Sequence, residues 1–538
     1  MFRLLRATLV VTAAAFAAQG PCALSAAAPL AAPSALPSSQ LIFKKHREAM
    51  GLLPALAAHW TGTITEGGQT ARYEITATRD GRYRRTYSLP MTTQAEGNNG
   101  PIEWEQDANG NVRTSAADHH TSMDARLARL NDVTFDPNAS AVLGQSDLDG
   151  RKVYSVSTSL HGNTVIVYYD ADTWLIDGAD VGSETLRYGA YHRFDGVAVP
   201  VAIEETTADR SISVKVDKVD FAPVTASLFN PPLQREPVFP KQSSTVDMNF
   251  DSPHGLIVCA VSINGHPAHF LVDSGSTTSV IDLDMAQKLG LPQGGHSKVE
   301  GATTFVGTVA RIDSFEIAGI RFEPFYVQAV PLRLPSRIAN EGIDGVLGYD
   351  LFSALVVRVS YRNARLELSL PTNFSYRGTG SVIAADLSRH VPIVKASVGK
   401  DHSGTFSIDT GSTARLVLYK HFADANSVDF INPAQHETGY VEMVGGMMAL
   451  REFLPDPEDF APSTAGAAGG DFPTRHAVVD RLNLGAFSLP DLPSEIVMRE
   501  EGAFASDSAT DGIVGGGSLA LFDAVFFDYP NSRIILEK

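Results

Sequence analysis

Two short segments of this chain place an aspartate directly after an apolar run and directly before a hydroxyl residue and a glycine. They read Asp273-Ser-Gly-Ser276 and Asp409-Thr-Gly-Ser412. A strand that ends in a core delivers such a carboxylate at a buried turn, and Gly275 and Gly411 permit a backbone geometry that a side chain would obstruct. The two segments are therefore the first candidates for a reactive site.

Two such loops that face each other would bring the carboxyl groups of Asp273 and Asp409 within a few ångströms. Like charges that close do not both ionise, so one pKa rises and the pair shares a proton. The ionised member can take a proton from a water that attacks an amide carbonyl, while the protonated member donates to the carbonyl oxygen. The pattern indicates amide hydrolysis by a dyad that titrates as a unit, and it leaves open which aspartate holds the proton.

The other residues of the two segments are predicted to hold the loops in place. The hydroxyls of Ser274 and Thr410 can hydrogen-bond across to the partner loop, and those of Ser276 and Ser412 can bond to the carboxylates themselves. The predicted site thus adds six supporting residues to the two catalytic aspartates: Ser274, Gly275, Ser276, Thr410, Gly411 and Ser412.

Both segments belong to an internal repeat, and the repeat is more specific than either short motif. Its copies cover residues 245–372 and 380–538. In each copy an apolar strand leads into the aspartate segment, and an apolar-apolar-glycine element follows later, as Val346-Leu-Gly348 and Ile513-Val-Gly515. The order of parts is the same in both copies, which predicts two lobes of the same fold.

Other features of the copies agree with this order. Asp344 and Asp511 precede the glycine elements and are predicted to be turn or capping residues. A middle element repeats as residues 309–319 and 477–485, and the second copy is longer mainly because of a Pro-, Ala- and Gly-containing insert at 450–474, which is predicted to be a loop.

With these elements in place, the repeat resembles the aspartic peptidases, in particular their retropepsin-like branch. The resemblance covers roughly residues 245–538, a little over half of the chain. Retropepsins assemble one site from two identical chains, whereas this chain carries both halves in tandem, as pepsin-like enzymes do. The resemblance implies a polypeptide substrate, an intramolecular two-lobe site in a monomer, and no metal or organic cofactor.

The same resemblance implies a flap, a hairpin that closes over the substrate. Candidates are Val299–Gly307 in the first copy and Gly439–Met447 in the second. Tyr440 is the candidate for a functional aromatic residue of the flap.

Upstream of the repeat, residues 41–232 form short alternating runs separated by Asn-Gly and Asp-Gly turn signals. This pattern predicts an antiparallel sheet, and its last part, from residue 196, resembles the half-barrel of periplasmic lipoprotein-carrier proteins. A linker is predicted at 233–244. The domain could recruit substrate, chaperone the peptidase lobes or act as a removable prosegment, and the sequence leaves these three roles open.

The N-terminus has the pattern of a secretory signal peptide, predicted at residues 1–27 and followed by a flexible lead at 28–40. Its apolar run, Ala7–Ala18, is too short to span a membrane, and no transmembrane segment is expected elsewhere. Removal of the signal peptide would leave Cys259 as the sole cysteine, without a disulfide partner. The predicted location is therefore periplasmic or secreted, in a bacterium.

Composition and motif searches exclude several other functions. The formal net charge of -18 argues against nucleic acid as a partner. Gly515-Gly-Gly517 lacks the lysine and spacing of a phosphate loop. The histidines at His119-His120 and at His266 and His269 have no partners with a clear metal spacing, so no metal site is predicted.

The sequence therefore predicts a mainly β chain, with two retropepsin-like acid-protease lobes in tandem behind an antiparallel, lipoprotein-carrier-like half-barrel domain. The predicted function is that of an aspartic endopeptidase. Two alternatives stay open at this point: a non-catalytic periplasmic protein that binds peptides or lipoproteins, and a peptidase whose lobes pair between chains.

Overall fold

The computed structural model describes residues 36–51, 57–66, 69–78, 80–116, 135–160, 163–182, 184–206, 211–241, 243–252, 255–300, 304–332, 342–400, 402–426, 438–442, 471–497 and 510–538. The predicted signal peptide, most of the predicted lead, His119-His120 and residues 450–470 of the predicted insert lie outside these described residues.

The N-terminal part of the described chain consists of one helix, α1 (Ser39–Met50), and a set of antiparallel strands. The strands are β1 (Ala57–Glu66), β2 (Gln69–Ala77), β3 (Tyr83–Ser88), β4 (Thr93–Asn98), β5 (Ile102–Gln106), β6 (Val112–Ala116), β7 (Ala141–Leu148), β8 (Arg151–Leu160), β9 (Asn163–Asp170), β10 (Ile176–Val181), β11 (Glu184–Tyr188), β12 (Tyr191–Phe194), β13 (Val197–Pro200), β14 (Ala202–Thr206) and β15 (Ser211–Ala222). Except for the separate β12-β13 hairpin, they form one sheet in the order β6-β5-β4-β3-β2-β1-β15-β14-β11-β10-β9-β8-β7, called the N-terminal sheet below.

Alternation of apolar and polar residues builds this sheet. In β9, for example, Val165, Val167 and Tyr169 are buried on one face, and the residues between them are partly exposed. Asp149-Gly150 and Asp195-Gly196 have positive φ at both residues, which is the backbone that two-residue hairpin turns need. The mainly β fold that the sequence predicts is confirmed here.

Helix α1 is a feature that the sequence analysis missed, and it begins at Ser39, inside the predicted flexible lead. Ser38 caps it by accepting a hydrogen bond from the backbone N–H of Leu41 (3.2 Å). The side chains of Ile42, Phe43, His46 and Met50 share one face and are buried. The lead is therefore anchored at its C-terminal end, because this apolar face packs on the sheet.

The first lobe follows, with helices α2 (Leu283–Lys288) and α3 (Tyr349–Ala354). Its strands are β16 (Thr245–Asn249), β17 (Val258–Ile263), β18 (His266–Val272), β19 (Val280–Asp282), β20 (Gln293–Glu300), β21 (Thr304–Ile312), β22 (Phe315–Ile317), β23 (Ile320–Phe322), β24 (Phe325–Val330), β25 (Gly345–Leu347), β26 (Val356–Ser360) and β27 (Arg365–Ser369).

The second lobe contains helices α4 (Lys420–Asn426) and α5 (Gly516–Leu519). Its strands are β28 (Ser381–Ala384), β29 (Ile393–Val398), β30 (His402–Asp409), β31 (Leu416–Leu418), β32 (Thr438–Glu442), β33 (Asp471–Leu484), β34 (Phe487–Val497), β35 (Gly512–Gly515), β36 (Ala524–Asp528) and β37 (Arg533–Glu537). Strand β33 takes up residues 471–474, which the sequence analysis assigned to the loop-forming insert.

The two lobes have matching topology around the aspartate segments. In the first lobe, β18 pairs with β25 in parallel, and in the second lobe β30 pairs with β35 in parallel. Their sheets have the orders β20-β21-β24-β19-β25-β18-β17-β22-β23 and β29-β30-β35-β31-β34-β33-β32. Each aspartate strand therefore lies between two neighbours, inside its sheet.

A third sheet joins the lobes, in the order β16-β27-β26-β36-β37-β28. Each lobe contributes three of its strands, and β26 pairs with β36 across the boundary, with Val357 opposite Phe527. One apolar cluster runs through both lobes, while the N-terminal sheet has a separate cluster of its own. The lobes are thus a single packed unit with the aspartate segments between them.

The longest described helix, α1, has 12 residues. A membrane span needs about 20 apolar residues. None of the described helices is a candidate span.

Candidate active site

The two aspartate loops begin where the central strands β18 and β30 end. Asp273 follows β18, and Asp409 is the last residue of β30. Phe270, Leu271 and Val272 are fully buried before Asp273, and its backbone N–H donates to the carbonyl of Leu347 in β25 (2.9 Å). The carboxyl-bearing residues are consequently inside the protein, with 0% exposure for Asp273 and 3% for Asp409.

Four reciprocal hydrogen bonds join the loops to each other. The Ser274 hydroxyl donates to the carbonyl of Ile408 (2.8 Å) and accepts from the backbone N–H of Thr410 (3.1 Å). The Thr410 hydroxyl donates to the carbonyl of Val272 (2.8 Å) and accepts from the backbone N–H of Ser274 (2.9 Å). The predicted contacts of these two hydroxyls with the partner loop are therefore present.

Each loop glycine lies against the carboxyl group of the opposite loop. A Cβ atom at Gly275 would lie 2.5 Å from Cγ of Asp409, and one at Gly411 would lie 2.4 Å from Cγ of Asp273. These distances are too short for any side chain. Glycine is needed at both positions because of this close approach rather than because of a left-handed backbone.

The two carboxyl groups lie next to each other, close enough for the charge of Asp409 to act on Asp273. Oδ1 of each aspartate accepts a hydrogen bond (2.8 Å) from the backbone N–H of the glycine two residues later. Oδ2 of Asp273 has no hydrogen-bond partner among the described residues, although it is buried. A buried acceptor beside a second carboxyl is satisfied when the pair holds one proton.

Burial and mutual repulsion determine how the pair titrates. Burial raises the pKa of Asp273 well above its ordinary value, and the charge of Asp409 raises it further. Burial also raises the pKa of Asp409, against the lowering effect of hydrogen bonds from Asp273 and from the backbone of Gly411 and Ser412. The dyad therefore keeps a proton at a pH where a solvated carboxyl has lost it.

The hydroxyls of Ser276 and Ser412 do not have the predicted role. The Ser276 hydroxyl donates to the carbonyl of Thr278 (2.7 Å), so it stabilises its own loop instead of a carboxylate. The Ser412 hydroxyl is buried and has no hydrogen-bond partner among the described residues. The prediction of hydroxyl–carboxylate bonds was wrong because the turn places a backbone carbonyl nearer to Ser276.

The glycine elements, and the aspartates Asp344 and Asp511 that precede them, pack beside the two loops and the strands that lead to them. A Cβ atom at Gly348 would lie 2.4 Å from the carbonyl oxygen of Thr278, so this glycine allows β25 to approach the loop. Oδ2 of Asp344 accepts from the backbone N–H of His269 (2.9 Å), and Oδ2 of Asp511 accepts from that of Thr405 (2.7 Å). Both aspartates therefore bind the backbone of the neighbouring strand that leads to Asp273 or Asp409, a contact different from the predicted turn or capping role.

Sequence reasoning missed two tyrosines and one aspartate behind the loops. Tyr361 and Tyr529 directly follow the equivalent strands β26 and β36, and the Tyr529 hydroxyl donates to the carbonyl of Ser274 (3.2 Å). Asp350 accepts from the backbone N–H of Ser279 (2.5 Å). Alignment of the two copies could have identified the tyrosines, since they occupy the same position in each.

The flap candidates are described only in part. In the first lobe, β20 and β21 form a hairpin that includes residues 299–300 and 304–307, and its tip lies outside the described residues. In the second lobe, β32 covers residues 439–442 and pairs Tyr440 with Pro473, while residues 443–447 lie outside. The flaps and the role of Tyr440 stay predictions.

Two other side-chain groups were assigned from the sequence. Cys259 is buried and free, and burial raises the pKa of its thiol to about 12, which makes it unreactive. Among the described residues, no three His, Cys, Asp or Glu side chains come close enough to hold a metal ion.

Comparison with known proteins gives one family match. The family model for aspartyl proteases matches residues 259–351, which contain the first aspartate loop and its glycine element. No curated protein matches the chain significantly.

Solved structures were also compared. A LolA superfamily protein from Nitrosomonas europaea has 13% identity and a TM-score of 0.30, covering 36% of this chain and 98% of that one. A DUF1329 family protein from Desulfovibrio piger has 13% identity and a TM-score of 0.28, covering 36% of this chain and 95% of that one. The aspartyl protease match is therefore the finding that bears on the site.

Proposed function

We propose that this chain is an aspartic endopeptidase in which Asp273 and Asp409 activate a water to hydrolyse peptide bonds. The observation that carries the proposal is the pair of buried, adjacent carboxyl groups that two reciprocally bonded loops present. The aspartyl protease match over residues 259–351 supports the assignment of the first lobe. The remaining residues of the two loops would hold the aspartates in place. Ser274 and Thr410 would do so through the hydrogen bonds that their hydroxyls form between the loops.

The reaction follows from the protonation state of the pair. The ionised carboxylate takes a proton from a bound water as its oxygen attacks the scissile carbonyl carbon, and the protonated carboxyl donates to the carbonyl oxygen. A proton from the dyad then passes to the amide nitrogen and the C–N bond breaks. As the new carboxyl product forms, a hydroxyl of the tetrahedral intermediate returns its proton to the dyad, which is left with one proton for the next cycle. Gly275 and Gly411 contribute by fixing one oxygen of each aspartate through their N–H groups.

We further propose that the substrate is an extended polypeptide bound between the lobes, since sheet-based sites bind peptides by strand-like pairing of the backbone. The site would be complete within one monomer, because both aspartates come from the same chain. The protein would act after export, in the periplasm or outside the cell, where the predicted signal peptide directs it.

The test is hydrolysis of casein and of a peptide library, from acidic to neutral pH, with and without pepstatin. Asp273→Asn and Asp409→Asn should each lower the rate by at least about 100-fold, because either change removes one partner of the proton transfer. Asp344→Asn is the matched control: it changes an aspartate of the same lobe that binds only backbone among the described residues, and it should retain activity.

Equal hydrolysis by the wild type and both dyad variants would mean a contaminating protease and would contradict the proposal. Failure of the wild type to cut any peptide, together with measurable binding of peptides or lipoproteins, would favour the non-catalytic alternative.

A further inference from the structure

The N-terminal sheet contacts the first lobe through the turn between β5 and β6. In this turn the N–H of Gly110 donates to the carbonyl of Asp107 (3.0 Å). The backbone and side-chain N–H groups of Asn111 donate to the two oxygens of the Asp107 carboxyl (both 2.9 Å). The turn is therefore fixed by its own hydrogen bonds before it meets the lobe.

Asn109 lies at the tip of the turn, and its side-chain amide forms hydrogen bonds to residues of the first lobe. Its Nδ2 donates to Oδ1 of Asp350 (2.7 Å) and to the carbonyl of Tyr326 (2.9 Å). Its Oδ1 accepts from the backbone N–H of Tyr326 (2.8 Å). The amide thus pairs with the backbone N–H and carbonyl groups of Tyr326 in β24, as the backbone of a neighbouring strand would. This pairing orients the other N–H of the amide toward Asp350.

Asp350 connects this amide to the loop that carries Asp273. It is only 1% exposed. Its second oxygen accepts from the backbone N–H of Ser279 (2.5 Å) and from the hydroxyl of Thr278 (3.3 Å), at the far end of the Asp273 loop. A buried carboxylate that loses one of its donors pays a large desolvation cost, so its position depends on Asn109.

The second lobe has no carboxylate at the equivalent position. Gly517 occupies the position that corresponds to Asp350, two residues after the glycine of the β35 element. A Cβ atom at Gly517 would lie 2.8 Å from the carbonyl oxygen of Thr413, so the glycine packs directly on the Asp409 loop. The lobe that has a carboxylate at this position, Asp350, is therefore the lobe in which the position contacts the N-terminal sheet.

A second route from the same sheet reaches the same loop. Glu105 of β5 contacts Nε2 of His390 (3.4 Å), whose ring stacks on Tyr349 with 4.2 Å between centroids. Tyr349 in turn packs against Tyr529, the residue whose hydroxyl donates to the carbonyl of Ser274. Both routes end on the Asp273 loop, one at each of its ends.

We propose that Asn109 is a positioning residue of the dyad, and that the N-terminal sheet is a permanent part of the active enzyme rather than a removable prosegment. The expected change in kcat rests on the proposed function. The expected change in hydrogen exchange of the Asp273 loop can be measured without any enzymatic activity.

The experiment uses the full mature chain with Asn109→Ala, Asn109→Asp and the double exchange Asn109→Asp/Asp350→Asn. Hydrogen–deuterium exchange of the segment 273–282 reports the Ser279 amide, and steady-state kinetics separate kcat from KM. Asn99→Ala is the matched control, because it makes the same exchange in the turn between β4 and β5, where the side-chain amide donates to Oδ1 of Asn230 (3.2 Å) and not to a lobe.

Asn109→Ala should expose the 273–282 segment to faster exchange and lower kcat by roughly tenfold with little change in KM. Asn109→Asp should be worse, because it places a carboxylate against Asp350. The double exchange should recover part of the loss, since an amide and a carboxylate again face each other. Asn99→Ala should leave both measurements at the wild-type level.

Wild-type exchange and kcat in Asn109→Ala would overturn the inference. So would a double exchange no better than Asn109→Asp, a result that stays informative even if the alanine variant fails to fold. An inactive wild type whose 273–282 segment still loses protection in Asn109→Ala would refute the proposed function while keeping the positioning contact.

Discussion

At the scale of single residues, four hydroxyls in equivalent loop positions have different tasks. Ser274 and Thr410 each donate and accept across the two loops, so neither can lose its hydroxyl without leaving two buried backbone groups unpaired. Ser276 bonds within its own turn, and Ser412 has no partner among the described residues. Equivalent positions in a repeat therefore do not guarantee equivalent contacts.

Thr410→Val is expected to destabilise the protein and to lower kcat. The change leaves the N–H of Ser274 and the carbonyl of Val272 without their partner, at about 1–3 kcal/mol for each group. Thermal unfolding and steady-state kinetics would measure the two effects.

Two controls accompany this prediction. Thr410→Ser keeps the hydroxyl and should stay close to the wild type. Thr277→Val makes the same change in the first loop at a buried hydroxyl that has no partner among the described residues, and should cost little. Equal losses in the two valine variants would show that the bonds across the loops are not the cause.

At the scale of elements, the β5–β6 turn and helix α3 bring a second pair of carboxyls together. Burial, with the added charge of Asp350, raises the pKa of Asp107 to about 7, against the lowering effect of Asn111 and His390. A carboxyl whose pKa is higher in the folded state stabilises the fold fully at low pH. That contribution falls as the pH rises from the ordinary value of 3.8 through about 7. The contact between sheet and lobe should therefore weaken toward neutral pH.

Asp107→Asn should make the melting temperature less sensitive to pH. The wild type is expected to lose stability between mildly acidic and neutral pH relative to this variant, because the variant has no carboxyl to ionise at this position. Thermal unfolding across that pH range, compared with the exposed turn variant Asp147→Asn, would measure the difference. Parallel curves for all three proteins would contradict the assignment to Asp107.

At the scale of the whole molecule, the predicted linker between the N-terminal sheet and the lobes is docked at several points. The N–H of Arg235 donates to the carbonyl of Gly110 (3.0 Å), and Val238 forms a two-bond bridge with Arg321 in β23. Leu233, in contrast, has a side chain that is 93% exposed. A cut at this point would break the chain without removing the contacts on either side of it.

A protease site introduced at Leu233 should therefore give a nicked protein that elutes as one species and keeps its activity. The contacts of Asn109 and Glu105 with the lobes do not depend on a continuous chain at this position. Size-exclusion chromatography and peptide hydrolysis before and after cleavage would test this. Separation of the N-terminal part, followed by a rise in activity, would instead identify a prosegment.

Several of these features could be predicted from local sequence. The apolar strand before Asp273, the glycine that follows it and the Asp149-Gly150 turn depend on residues close together in the chain, and the structure has them as expected. Helix α1 also has a local signal, the spacing of Ile42, His46 and Met50 behind the cap at Ser38, which the sequence analysis did not use.

The sequence by itself determined that two lobes have the same order of elements and that Asp273 and Asp409 are equivalent residues. It could do so because aligning the two copies of the repeat matches each residue with its counterpart. Only the tertiary structure decided what holds those aspartates. The partners of Asn109 and Tyr529 are 241 and 255 residues away along the chain. Such contacts leave no local pattern, since they depend on how the sheets pack, and the N-terminal sheet became part of the candidate site only through them.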